Sequence, residues 1–146
     1  MSLKIEEIEY SLPSNIEDIK LLEKDNPSWD LKKILEKTGV SKRYIANNNE
    51  NTTTMAVKAA NKIKDFDNIK KNIEFLILVT QNPEYQLPST ACIVQDLLGI
   101  PTTAMCFDIN LGCSGFIYAL AVSNSFIESK LYKKGLIICS EKYSSF

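Results

Sequence analysis

The sequence has no histidine among its 146 residues. That absence removes the side chain most often used as a base near neutral pH, and with it every imidazole metal site. The four cysteines, Cys92, Cys106, Cys113 and Cys139, form no C-x-x-C pair, so a thiolate zinc site is not expected either. Long hydrophobic runs are missing too. The longest strictly apolar stretch is Phe116–Val122, against the roughly 20 residues needed to cross a bilayer. Residues 1–10 alternate apolar and charged side chains and do not resemble a secretory leader. Neither sign of charge dominates: seventeen Lys and Arg oppose eighteen Asp and Glu, dispersed along the chain, for a net charge of −1. With no basic stripe, neither nucleic acid nor a membrane surface is an expected partner. We find no internal repeat, low-complexity tract or interior linker. What remains is a cytoplasmic protein of one domain, with the ordinary globular composition of 45% apolar and 24% charged residues.

The patterns present are those of a layered α/β chain. Residues 3–10 read as a strand, and Asn15 as the cap of a helix over 16–24. Asp30 caps a helix over 31–38, with Gly39 as its left-handed stop. Residues 40–46 read as extended, and 47–51 as a polar loop. A threonine among Thr52, Thr53 and Thr54 caps a helix to about Lys64. From residue 73 onward a clear alternation sets in. Ile73–Thr80, Ala104–Ile109 and Gly135–Ser140 are near-continuous apolar runs, the signature of strands covered on both faces. Between them lie a helix from Pro88-Ser89-Thr90 to Leu98, stopped by Gly99 and Pro101, and a helix over 113–130. The latter is apolar almost all round through Val122, which predicts a central, buried position for Phe116, Ile117 and Tyr118. Strand, helix, strand, helix, strand in that order implies a parallel core. The closing Glu141–Phe146 segment does not read as a designed terminus.

Cys92, Cys106 and Cys139 each sit in an apolar segment and read as buried free thiols. Cys113 differs because it stands in Gly112-Cys113-Ser114-Gly115, where a strand gives way to a helix. A thiolate is the nucleophile, and a free thiol is mostly protonated at neutral pH. The unpaired N–H groups and aligned dipoles at a helix start favour negative charge. Flanking glycines allow a sharp, strained turn and a close approach by substrate. An N–H beside such a turn can also bind the oxyanion of an attacked thioester. Glycine beside a strand-to-helix turn is also common packing chemistry, and spacing alone favours a buried structural thiol over a reactive Cys113.

Asp108–Leu120 strongly resembles the nucleophile segment of the 3-oxoacyl-[acyl-carrier-protein] synthase III family of condensing enzymes. Leu87-Pro88-Ser89-Thr90-Ala91-Cys92, with Gln95 and Leu98-Gly99, is similar to the family's Pro-Ser helix. Lys37-Thr38-Gly39-Val40-Ser41-Lys42-Arg43 is similar to its Thr-Gly turn, and Gly135–Glu141 to a strand ending in a glutamate. The resemblance implies the N-terminal half of a thiolase-like fold, layered α/β with a mostly parallel mixed sheet and a buried nucleophile helix. On that reading residues 1–146 are one half-domain and the C-terminal half is absent.

The implied chemistry is a decarboxylative Claisen condensation in fatty acid or related acyl-chain synthesis. Cys113 would carry the acyl group taken from acyl-CoA or acyl-acyl carrier protein, and malonyl-acyl carrier protein would supply the attacking carbanion. No cofactor is implied, and the partners are the acyl carrier protein and a second copy in a homodimer. The family's His and Asn belong to the other half, which accounts for the missing imidazole and predicts that this chain alone is inactive. Thr38 and Lys37 match the turn lining the CoA entrance. Leu87 matches the position reaching across the dimer to the acyl pocket. The family's adenine-stacking tryptophan position is Lys33 here, and Trp29 reads as packing. Glu141 and Arg43 read as structural ion-pair or hydrogen-bonding residues, and Asp108 as a cap rather than a base. A non-catalytic partner half-domain is the main alternative. A nucleotide-binding domain is disfavoured because Thr80-Gln81-Asn82-Pro83 contains no glycine.

Overall fold

The computed structural model describes residues 3–143. The last residues of the Glu141–Phe146 segment, Ser144 to Phe146, lie outside the described residues. The chain packs as two compact units: Leu12–Glu50 forms one, and the described residues on either side of it form the other.

In the Leu12–Glu50 unit, β1 (Asn15–Asp18) pairs antiparallel with β2 (Lys42–Ile45), and Glu17 stands opposite Arg43. Arg43 donates from Nε to Glu17 Oε2 across that pair, so it braces the turn as expected. Helix α1 (Ile19–Asp25) starts later than the sequence suggests. Asp18, not Asn15, caps it, accepting from the Lys20 and Leu21 N–H groups at 3.0 Å each. Asn15 is instead the first residue of a strand, because its segment finds a partner in β2. Helix α2 (Leu31–Thr38) matches expectation at both ends. The Asp30 carboxylate accepts from the Lys33 N–H at 3.0 Å, and Gly39 takes φ +69°, where a side chain would strain.

The larger unit holds a parallel sheet in the order β4-β3-β5, formed by β3 (Phe75–Val79), β4 (Met105–Ile109) and β5 (Gly135–Cys139). β3 is central and buried throughout. Its side chains alternate between two cores, as the period-two geometry of a strand requires. Leu76 and Leu78 pack with helices α3 (Thr52–Ala60) and α5 (Thr90–Leu98) on one face. Phe75, Ile77 and Val79 pack against α6 (Gly115–Glu128) on the other. Phe75, Phe126 and Tyr132 close that second core, with ring centroids 5.3–5.8 Å apart.

Four expectations change in this unit. Residues 3–10 form no strand; they are held by side-chain contacts such as Glu7 to the Lys64 N–H at 2.8 Å. Their alternating pattern has no neighbouring strand to pair with among the described residues. Helix α3 is capped by Asn51 in a reciprocal pair with Thr54 and ends at Ala60, before a short helix α4 (Phe66–Ile69) that the sequence did not suggest. Cys92 and Cys139 are exposed and Cys106 is half-buried, so none of the three is a fully buried thiol. Cys139 ends the edge strand β5, and Cys92 stands in the first turn of α5.

The fourth change concerns α6. Gly115, Ala119, Ser123 and Ile127, spaced four residues apart, make its buried stripe. Phe116, Ile117 and Tyr118 are exposed, at 42%, 62% and 58%. Helix α6, expected to be buried all round, therefore rests on the sheet by a narrow stripe. Among the described residues, nothing covers Phe116, Ile117 and Tyr118 enough to bury them. No helix among the described residues is long and apolar enough to cross a membrane.

Candidate functional site

Cys113 lies in the tight turn between β4 and α6 and is exposed. The turn is closed by the Gly115 N–H donating to the Gly112 carbonyl at 2.9 Å. Its glycines are there for space rather than for torsion. Neither carries the positive φ seen at Gly39 and Gly99. A Cβ on Gly115 would fall 2.3 Å from Val79 Cγ1 and 3.3 Å from Leu111 Cβ. A Cβ on Gly112 would fall 2.7 Å from Gln81 Oε1. The turn thus sits directly on the C-terminal tip of β3. That closeness replaces the strained backbone anticipated from the glycine spacing. The Ser114 hydroxyl makes no capping hydrogen bond to α6, so the N-cap side chain does not claim the helix-start N–H groups next to the thiol.

Asp108, at the end of β4, is a cap, but for another helix. Its two carboxylate oxygens accept the Thr90 and Ala91 N–H groups at 2.7 Å each. A carboxylate against two N–H groups at a helix start is favoured by both charge and dipole. It ties the start of α5, and the Leu87–Ser89 segment before it, to the strand that leads into Cys113. Leu87 is 88% exposed. Glu84, in the same loop, accepts from Thr53 N at 2.9 Å and Thr53 Oγ1 at 3.0 Å, anchoring the loop to α3. That anchor is not legible in the sequence, since nothing local to Glu84 distinguishes it from a solvated loop acid.

Thr38 and Lys37 lie in the Leu12–Glu50 unit, at the end of α2, while Cys113 and Leu87 belong to the larger one. The Thr38 hydroxyl is engaged locally: it donates to the Ile34 carbonyl at 2.8 Å and accepts from the Val40 N–H at 3.2 Å. Lys37 instead lines a shallow groove of about 380 Å³ with Trp29, Asp30, Lys33 and Ile34. Trp29 is 51% exposed there, so it is not a packing residue as first read. Lys33 and Lys37, four residues apart, share one side of α2, and Trp29 stands just before its cap. Among the described residues, no cluster of three or more His, Cys, Asp or Glu is placed to hold a metal ion.

Comparison with known proteins bears directly on this arrangement. The family model described as 3-Oxoacyl-[acyl-carrier-protein (ACP)] synthase III matches residues 107–146, which include the Cys113 turn. The beta-ketoacyl-[acyl-carrier-protein] synthase III of Clostridium novyi is 42% identical over 98% of this chain. The chain belongs to the 3-oxoacyl-[acyl-carrier-protein] synthase III family. A crystal structure of a 3-oxoacyl-(acyl-carrier-protein) synthase III superposes on 95% of the chain with a TM-score of 0.87 at 36% identity. That of the synthase III from Aquifex aeolicus gives 0.84 at 39% identity over 94%. The layered α/β fold expected from the resemblance is therefore the fold of the family. The chain spans 44% of the Clostridium relative and 41% and 44% of the two solved chains, less than half of each.

Proposed function

We propose that this chain is the N-terminal half of a synthase III-type condensing enzyme and that Cys113 is its acyl carrier. The Cys113 thiolate attacks the carbonyl carbon of an acyl thioester. A new C–S bond forms, and the CoA or carrier thiol leaves. Malonyl-acyl carrier protein then loses CO₂, and its carbanion attacks the acyl carbon and expels the Cys113 sulfur. The observation that carries this reading is the exposed Cys113, held at an uncapped helix start by glycines that fit only against β3. Uncapped N–H groups there suit the oxyanion of the tetrahedral intermediate. Decarboxylation needs groups from the remainder of the family's length, so the isolated chain stops at the acyl-enzyme.

Intact-mass spectrometry of the chain incubated with acyl-CoA tests the first stage. One acyl adduct, mapped to Cys113 and absent from Cys113→Ser, is the expected result. Adducts spread evenly over Cys92, Cys113 and Cys139 would remove Cys113 from the role. Adding malonyl-acyl carrier protein should yield no condensation product from this chain alone. A non-catalytic partner half-domain would instead show no Cys113 adduct even after the complementary half is supplied.

For the donor we propose acyl-CoA, with Trp29 offered to the adenine ring and Lys33 and Lys37 to the phosphates along the groove that all three line. An ammonium–phosphate contact at an exposed site is salt-sensitive. Lys33→Ala with Lys37→Ala should raise the acyl-CoA concentration needed for Cys113 acylation and flatten its salt dependence. It should leave acylation by acyl-pantetheine, which lacks the nucleotide, unchanged. For Leu87 we propose a place in the acyl pocket of a second copy, leaving room for chains longer than acetyl. Faster acylation by longer acyl-CoAs than by acetyl-CoA in the completed dimer is the expected outcome, and a strict acetyl preference would reject it.

A further inference from the structure

The Cys113 turn rests on Gln81, and Gln81 is held by a carboxylate that the proposed reaction does not use. Glu141 follows β5 at the end of the sheet. Its Oε2 accepts the Gln81 N–H at 2.8 Å. Its Oε1 is buried and has no hydrogen-bond partner. The Gln81 side chain is what a Cβ on Gly112 would strike, with Oε1 at 2.7 Å and Cδ at 2.9 Å. Gly112 precedes Cys113 and accepts the hydrogen bond that closes the turn. The residues beside Gln81 are fixed separately. The Thr80 N–H donates to the Ile109 carbonyl at 3.2 Å. Thr52 Oγ1 donates to the Asn82 carbonyl at 3.0 Å, and Ser140 Oγ to the Thr52 carbonyl at 2.7 Å. Gln81 lies beyond the end of β3, where the ladder no longer supplies an acceptor, and the Glu141 carboxylate takes that place.

We infer that Glu141 is a positioning residue for the Cys113 turn and acts through Gln81. This rests on Cys113 being the nucleophile, and it goes beyond that reading by naming what sets the nucleophile's place. Only one of the two carboxylate oxygens is used, and an amide oxygen can accept the same N–H. Positioning therefore predicts that Glu141→Gln behaves as the parent, whereas an effect of negative charge on the thiolate predicts that it does not. Removing the carboxylate outright leaves the Gln81 N–H without the acceptor that fixes it to the end of β5.

The test is iodoacetamide alkylation of the 146-residue chain across a range of pH, read by peptide mass spectrometry. The rate at Cys113 is taken relative to exposed Cys92 in the same molecules, which cancels global opening. The parent and Glu141→Gln should give the same ratio and the same pH midpoint. Glu141→Ala and Gln81→Ala should each lower the ratio by roughly fivefold or more, since a loosened turn presents the sulfur in fewer orientations. An unchanged ratio in both alanine variants overturns the inference. So does a Glu141→Gln variant that falls as far as Glu141→Ala. Should Glu141→Ala unfold, half-buried Cys106 becomes reactive and reports it, and Gln81→Ala then decides. Failure of the underlying reading looks different: parent Cys113 alkylates no faster than Cys92 and takes no acyl group from acyl-CoA.

Discussion

At the scale of single residues, Gly112 and Gly115 make separate demands. The clash at Gly115 is with Val79 Cγ1, a branched side chain buried in the central strand, and nothing there can yield. Gly115→Ala should cost about 1–3 kcal/mol, as overpacking does, and should lower the urea midpoint. The clash at Gly112 is with the far end of the Gln81 side chain, which rotates away if it is not held. Gly112→Ala should therefore be milder, and adding Gln81→Ala should relieve it, giving a non-additive cycle of order 0.5–3 kcal/mol. Additive losses in the same denaturation series would show that Gly112 and Gln81 do not touch in solution. The sequence announced that these glycines matter, because two of them bracket a cysteine. It could not show that the reason was contact rather than torsion, since Val79 and Gln81 reach the turn through the sheet and not along the chain.

Among elements, the reading succeeded where the signal was local and strong. The three apolar runs became the three parallel strands, and Asp30 and Gly39 bounded α2 as their capping chemistry requires. It failed where an element depends on a distant partner. Residues 3–10 have a strand's alternation but no ladder, and α6 has an all-round apolar sequence but only one covered face.

The cysteines of the sheet layer supply a prediction at this scale. Cys106 on β4 has its thiol pushed up to about 11, first by burial and then by the neighbouring Cys92, with a backbone hydrogen bond from Leu76 opposing. A raised pKa means that the fold favours the protonated thiol, whereas in the unfolded chain the thiol ionises near about 8.5. The contribution of Cys106 to stability is thus complete below about pH 8.5 and declines as pH rises toward about 11. Denaturation measured along that range should fall more steeply for the parent than for Cys106→Ala. Parallel slopes would mean that the half-buried thiol titrates as it does in the unfolded chain.

At the scale of the whole molecule, the question is what covers α6. Phe116, Ile117 and Tyr118 follow one another at the start of the helix, all exposed, immediately after the Cys113 turn. Contiguous apolar surface of that kind on a soluble protein marks a contact face. At the start of the helix the covered residues, Gly115 and Ala119, are small, while the large Phe116, Ile117 and Tyr118 are exposed. A helix start with three large apolar side chains exposed is suited to being covered by a further layer, and the Clostridium and Aquifex relatives carry more than half their length beyond the part matched here. Burying a Phe, Ile or Tyr side chain is worth about 1.5–3 kcal/mol, so the three together amount to a substantial driving force for association. The chain alone should self-associate as its concentration rises, with sedimentation coefficients that climb across the micromolar range. Ile117→Lys should abolish that climb without lowering the denaturation midpoint, because Ile117 is not part of the core beneath it. When the remaining half of a family member is co-expressed, the parent chain should bind it and stay discrete, and Ile117→Lys should fail to bind. A parent chain that remains monomeric at high concentration, and that ignores the complementary half, would show that this face is finished as it stands and that the half-enzyme reading is wrong.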